Sequence, residues 1–157
     1  MKWWKWVLGV LAVVFVAVQF VRPSRTNPPV DASRTIDAAT HVPADVHAIL
    51  ERSCFDCHSS ETVWPWYSNV APASWLLVDD VNDGRKELNF SEWGNYKARR
   101  KERKLKEICE QLESGEMPLK VYLPLHPRAK LSDADRTRLC AWATALRAEV
   151  PTPLPRS

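Results

Sequence analysis

Apolar positions fall along this chain in two regimes. Between Trp3 and Val21 they are nearly continuous, WWKWVLGVLAVVFVAVQFV, with Lys5 the one charge. From Pro43 onward they return at helical spacing, separated by polar residues. The continuous run predicts a single apolar helix. Its 19 residues would extend about 28 Å, close to the roughly 30 Å hydrocarbon core of a bilayer. Trp3, Trp4 and Trp6, with Lys2 and Lys5 beside them, suit a membrane–water interface. The competing reading is a cleaved leader, which wants small residues in an A-x-A arrangement after the apolar core. Here the core ends Ala17-Val18-Gln19-Phe20-Val21-Arg22-Pro23, a poor fit. Residues 1–22 are therefore expected to be an uncleaved transmembrane anchor.

Residues 23–40 read as a flexible linker. RPSRTNPPVDASRT, from Arg22 to Thr35, offers little to bury, and its prolines favour extended backbone. The expected role is a tether that only sets spacing.

Residues 41–150 are expected to form an all-α domain. A first helix over about 43–53 has Pro43 in its first turn and Val46, Ile49 and Leu50 as its apolar stripe. A second follows over about 72–87, with Trp75, Leu76, Val78 and Leu88 offered to the core and Gly84 weakening its end. A third covers about 96–114, with Leu105, Ile108, Cys109 and Leu112 on one face, and Gly115 stops it. The fourth starts after Ser132, whose S-x-x-D pairing with Asp135 is a capping signal, and buries Leu139, Trp142, Ala143 and Leu146. Residues 151–157 are expected to be a flexible tail.

Composition narrows the function. Lysine and arginine number 22 against 19 acids. Three of the bases, Lys2, Lys5 and Arg22, lie in the acid-free first 22 residues, so the remainder is neutral. That excludes a generally basic nucleic-acid binder. Four cysteines are too few for a disulfide scaffold, and 4 Gly against 12 Pro argue against a turn-rich β fold.

The candidate chemistry lies at Cys54-Phe55-Asp56-Cys57-His58. C-x-x-C-H is the attachment sequence of c-type haem. Two thiols three residues apart on one helical turn each reach a vinyl group of the same porphyrin. The next residue then presents its imidazole to the iron, which makes His58 the proximal ligand. Zinc would need a fourth ligand, and no second C-x-x-C exists. A thioredoxin-like pair would want a βαβ setting. Haem c, one per chain, is the expected cofactor, held by Cys54, Cys57 and His58. Its attachment on the extracytoplasmic side of a membrane would place the N-terminus inside and the domain outside.

The sixth iron ligand has three candidates. Gly115-Glu116-Met117-Pro118 has the form of a Met-Pro turn that presents a thioether, with Pro118 keeping Met117 out of a helix. His126, in Leu125-His126-Pro127, is the imidazole rival. An open position is the third.

Several separated stretches resemble the bacterial haem-binding domain family of membrane-anchored proteins with one C-x-x-C-H. They are Cys54 to His58, Trp64-Pro65-Trp66-Tyr67-Ser68-Asn69, Ser74-Trp75-Leu76-Leu77 after Pro72, Leu88-Asn89-Phe90-Ser91-Glu92-Trp93-Gly94 and Gly115-Glu116-Met117-Pro118-Leu119. The segment from Leu131 to Trp142 is similar to the last helix of small cytochromes c. The resemblance covers about residues 44–145 and implies a c-type haem domain with a cytochrome c-like helical fold. It carries the haem assignment to Cys54, Cys57 and His58, and the sixth ligand to Met117.

Three further features bear on function. Trp64, Trp66, Tyr67, Trp75, Phe90 and Trp93 are candidates for haem walls or for ordinary core. Cys109 and Cys140 fall on apolar helix faces, as a disulfide or as two buried thiols. Lys97 to Lys106 holds a basic run containing Arg99, Arg100 and Arg103, either a solvated face or a docking patch for an acidic redox partner. The expected function is one-electron transfer by a membrane-tethered monohaem cytochrome, not an enzyme, working with an unidentified redox partner protein. The alternative is a haem-based sensor or peroxidase-like protein with an exchangeable sixth position.

Overall fold

The computed structural model describes residues 2–151, so most of the expected tail lies outside the described residues. Among the described residues seven α-helices follow in order: α1 (Trp3–Val18), α2 (Ile36–Ala39), α3 (Ala44–Ser53), α4 (Phe55–His58), α5 (Ala73–Glu87), α6 (Ala98–Ser114) and α7 (Asp133–Glu149). Short 3₁₀ turns punctuate the loops, and there is no strand among the described residues. The expected all-α class holds.

The four expected domain helices are α3, α5, α6 and α7, and their ends follow local rules. Pro43 precedes the first residue of α3. Gly115 ends α6 with φ of 71°, a left-handed conformation suited to glycine. At α7 the capping box closes in both directions, since the Ser132 hydroxyl accepts from the Asp135 amide and the Asp135 carboxylate accepts from the Ser132 amide. The apolar core joins Val46, Ile49 and Leu50 of α3, Leu105 and Leu112 of α6, and Leu139, Trp142, Ala143 and Leu146 of α7. Ile36 of α2, with Leu88, Phe90, Trp93 and Leu131 from the connecting segments, completes it. A disulfide joins Cys109 to Cys140 and fastens α6 to α7.

Two expectations are corrected. The apolar helix α1 has 16 residues and stops at Val18. At helical rise that is about 24 Å, below the roughly 30 Å of a bilayer core. Among the described residues no helix is long and apolar enough to cross a membrane. The chain turns where the Gln19 side chain leaves the helix line and pairs with the Ala71 backbone, its Oε1 accepting from the amide at 2.9 Å and its Nε2 donating to the carbonyl at 3.1 Å.

Residues 19–40 are a strap and not a free tether. The Trp75 indole donates to the Val21 carbonyl (2.7 Å), Arg25 donates to Ser68 Oγ and Asn69 Oδ1, and the Asn27 amide donates to the Thr62 carbonyl (2.9 Å). Further on, α2 forms under a Thr35 cap and buries Ile36. Such bonds run from side chains to backbone atoms or to other side chains, and leave no periodic trace in the sequence.

The α5 expectation also shifts in detail. Its buried face is Ser74, Leu77, Val78 and Val81, whereas Leu76 is 64% exposed. Gly84 lies in the last turn of α5, where its carbonyl accepts from the Leu88 amide, as expected of a residue near the helix end.

Candidate haem site

The C-x-x-C-H segment forms one helical turn. The Cys57 and His58 amides both donate to the Cys54 carbonyl, at 3.1 and 2.9 Å. The backbone breaks at Cys54 between α3 and α4, so the turn is set off from the helix that leads into it. Helix α5 packs against it, and α5 can do so because residue 84 is glycine. A Cβ there would lie 2.5 Å from the Cys57 carbonyl oxygen.

That close approach positions His58. Its Nδ1 lies 3.0 Å from the carbonyl oxygens of both Gly84 and Leu88. Two carbonyl acceptors require the proton on Nδ1, which leaves the Nε2 lone pair available to a metal. Burial pulls the His58 pKa below its ordinary value, against the opposing effect of the Leu88 and Gly84 carbonyls. The imidazole is therefore neutral at neutral pH, as a ligand must be. Burial, first of all, pushes both Cys54 and Cys57 thiols up to about 12. They lack the depressed pKa of a thiolate redox pair.

A cleft opens beside this turn. One part of about 430 Å³ is lined by Leu88, Phe90, Ile108, Leu112, Leu131 and Leu139 together with Lys104. An adjoining part of about 230 Å³ is lined by Cys57, Leu77, Asp80, Gly84, Leu119 and Tyr122. Ser53, Cys54, His58, Glu87, Met117 and Pro118 line both. Mostly apolar walls around a few convergent ligand groups are what a large flat cofactor needs.

The Met117 turn is held from two sides. Its amide donates to the Gln111 carbonyl of α6 (3.2 Å), and Arg136 of α7 donates to the Leu112 and Met117 carbonyls (2.7 and 3.4 Å). His126 lies elsewhere. It stacks on Tyr122 at 3.7 Å, is near the Tyr67 hydroxyl and Tyr122 carbonyl, and lines neither part of the cleft. Tyr122 in turn donates to Asp56 Oδ2 at 2.7 Å, which ties the loop after Met117 to the C-x-x-C-H turn.

The aromatic residues divide. Of the six named from sequence, only Phe90 lines the cleft. Trp93 is fully buried in the core, and Trp66 is 75% exposed. The basic run is largely engaged. Arg100 stacks on Tyr96 at 4.0 Å, while Arg103 and Lys106 pair with Glu107 and Glu110.

Three site residues carried no clear sequence signal. Gly84 was legible only as a weak point in a helix. Arg85 donates to the Ser59 and Thr26 carbonyls, Asn27 Oδ1 and Thr62 Oγ1, which ties the strap, the segment after His58 and α5 together. Lys104, 6% exposed, is the one buried charged side chain among the described residues. Its ammonium donates to Glu87 and Glu107 carboxylates at 3.0 and 2.6 Å. Burial alone would lower its pKa, but the two carboxylates outweigh burial and raise it.

Residues 13–145 match the model of the haem-binding domain family. The chain belongs to that family. No curated protein and no solved structure matches it. The match begins inside α1, so the family domain takes in the strap as well as residues 44–145. The residues present fit a haem: a mostly apolar cleft, a neutral histidine with Nε2 open to a metal, two unbonded thiols on the same turn and a thioether in the cleft wall. Zinc fits less well, since Cys54, Cys57 and His58 do not gather three donor atoms within 4.8 Å of one another.

Proposed function

We propose that this haem-binding domain protein is a membrane-attached monohaem c-type electron carrier working on the extracytoplasmic side. The observation that carries the reading is the shared wall of the cleft, where Cys54, His58 and Met117 meet. Cys54 and Cys57 would hold haem through thioethers, His58 would ligate through Nε2, and Met117 would supply the sixth ligand. A haem bound there supplies reversible one-electron exchange between ferrous and ferric iron. The chain's own part is to orient His58 through the Gly84 and Leu88 carbonyls and to exclude water with Leu88, Phe90, Ile108, Leu112, Leu131 and Leu139. Ligation by a thioether favours ferrous iron relative to a second imidazole. Held by both His58 and Met117, the iron would offer no place for a substrate, and the partner would be a redox protein met transiently.

Attachment to a membrane rests on α1. Every residue from Trp3 to Val16 is solvent-exposed, and the helix is apolar on all sides apart from Lys5. A helix of that kind is stable against lipid or another apolar surface, not water.

The test is an absorption spectrum of the full chain, expressed with haem-attachment machinery, in ferric, ferrous and CO-treated forms. Haem retained under denaturation, a far-red ferric band lost in Met117→Ala, and no CO binding are expected. Ready CO binding by the unmodified protein would instead favour a sensor or peroxidase-like protein. Haem lost on denaturation would overturn thioether attachment.

A further inference from the structure

The strap does more than connect α1 to the domain, because its bonds fix one face of the domain at the place where α1 ends. We propose that this face, formed by Trp66, Trp75 and Leu76 with Arg22 and Arg25, is a phospholipid-docking surface that seats the haem domain on the bilayer in one orientation. The inference rests on the membrane attachment proposed above.

Gln19 grips the Ala71 backbone twice and Trp75 holds the Val21 carbonyl, so the exit of α1 is rigidly joined to the start of α5. A tether meant only for spacing would need none of these bonds. A shallow groove at the junction is lined by Val21, Pro23, Trp75 and Leu76, with Arg22 and Asp79 as its charged members. Leu76 within it is 64% exposed, and Trp66, whose carbonyl accepts from the same Asn69 side chain that Arg25 holds, is 75% exposed. Tryptophan, leucine and arginine at the mouth of an exposed apolar helix are the chemistry of a bilayer interface, where indoles sit at headgroup level and guanidinium groups meet phosphates. Asp79 opposes Arg22 in the groove, and Arg25 lies with Arg22 in the adjoining hollow lined by Ser68, Asn69 and Ala71.

The same geometry sets the haem site relative to the membrane. On α5, Trp75, Val78, Asp79 and Asn82 line the groove, whereas Leu77, Asp80 and Gly84 line the cleft. These sets lie on opposite sides of the helix, with Leu76 of the groove and Asp83 of the cleft sharing the edge between them. The cleft would therefore open to one side of the docked face, within a helix diameter of roughly 10–12 Å.

Photocrosslinking tests this in the full chain, bound to vesicles of phosphatidylethanolamine and phosphatidylglycerol. A p-benzoylphenylalanine replaces Trp66 or Leu76, with Val13 on α1 and the exposed Thr144 on α7 as reference positions, and phospholipid adducts are read by mass. Adducts at 66, 76 and 13 but not at 144 are expected. Combining Gln19→Ala with Trp75→Phe should lower the yield at 76 severalfold while sparing the yield at 13. Adducts at 13 alone would overturn the docking face and leave membrane attachment standing. Adducts at no position would remove attachment and docking together, and equal adducts at all four would show no oriented face.

Discussion

Two regions of this molecule meet at the cleft, and they are held by different forces. One is the α3–α6–α7 bundle, with an apolar core and a disulfide between its two long helices. The other is the strap, the α4 turn, the segment 59–70 and α5. It is held largely by side chains bonded to backbone atoms, among them Gln19, Asn27, Trp75 and Arg85. The bundle contributes Ile108, Leu112 and Leu139 to the cleft, and the laced region contributes Cys57, Leu77 and Gly84. An apolar core spreads its free energy over many interchangeable contacts. A laced region concentrates it in particular atoms, so single substitutions there should damage the site more than the fold.

The largest expected effect lies in the bundle. The Cys109–Cys140 disulfide has a sequence separation of 31. Closing a loop of that size stabilises by about 3–4 kcal/mol on the chain-entropy account. Cys109→Ser combined with Cys140→Ser should lower Tm markedly while leaving the haem spectrum unchanged. A changed spectrum with little loss of Tm would break the division between the regions.

Gly84→Ala should strike the site together with the fold. Its Cβ would meet the Cys57 carbonyl oxygen at 2.5 Å and the Cys57 carbonyl carbon at 3.1 Å, and neither belongs to a side chain that can swing away. Overpacking of this kind costs about 2–3 kcal/mol. Because the Gly84 carbonyl also receives the His58 Nδ1 proton, haem content per protein should fall with Tm. Gly9→Ala, with nothing within 4 Å, is the control. Wild-type haem content in Gly84→Ala would mean that the turn does not depend on this approach.

The same contrast explains what could be read from the sequence. The bundle was legible because its forces are periodic: Val46, Ile49 and Leu50, the face of α7, the Ser132–Asp135 box and the Gly115 stop each leave a spacing or a residue type. The C-x-x-C-H turn was legible because two thiols and an imidazole at that fixed spacing form a recognisable pattern. The strap was not, since a proline-rich polar stretch reads as a linker until the partners of Arg25 and Asn27 are seen. Gly84 and Lys104 were missed for a related reason. A close backbone approach and a lysine buried between two carboxylates are set by elements far apart in the chain, and neither changes the local pattern.

Arg85 sharpens the comparison at a smaller scale. It donates to two carbonyls and two side-chain oxygens in two other segments, the strap and the stretch after His58. Arg85→Ala should cost about 2 kcal/mol, since hydrogen bonds to a charged donor are worth more than neutral ones. Lysine cannot span the same fork, so Arg85→Lys should recover little. Trypsin cleavage after Arg25 should quicken in both variants, and cleavage at the wild-type rate would show that the strap is held without this residue.

The smallest effect lies where the regions touch. Asp135 completes the α7 cap and also accepts from Arg52 of α3 at 2.8 Å, two residues before Cys54. The Ser132 amide holds its pKa below the ordinary carboxylate value, against burial and with help from Arg52. A depressed pKa in the folded state means that the unfolded chain binds the proton more readily. The stabilisation is then complete above the unfolded value of about 3.9 and is lost as pH falls through the lower folded value. Asp135→Asn should be less stable than wild type by roughly 1 kcal/mol at pH 7, the usual worth of a cap. That gap should be smaller at pH 3 than at pH 7, because the wild-type carboxyl begins to take up its proton only below the ordinary value of about 3.9. Urea midpoints at the two pH values measure it, and an equal gap at both would show that packing, not the charge, holds the α7 start to α3. If the haem spectrum of Asp135→Asn is unchanged throughout, the cleft depends on the position of α3 and not on how strongly its neighbour is capped.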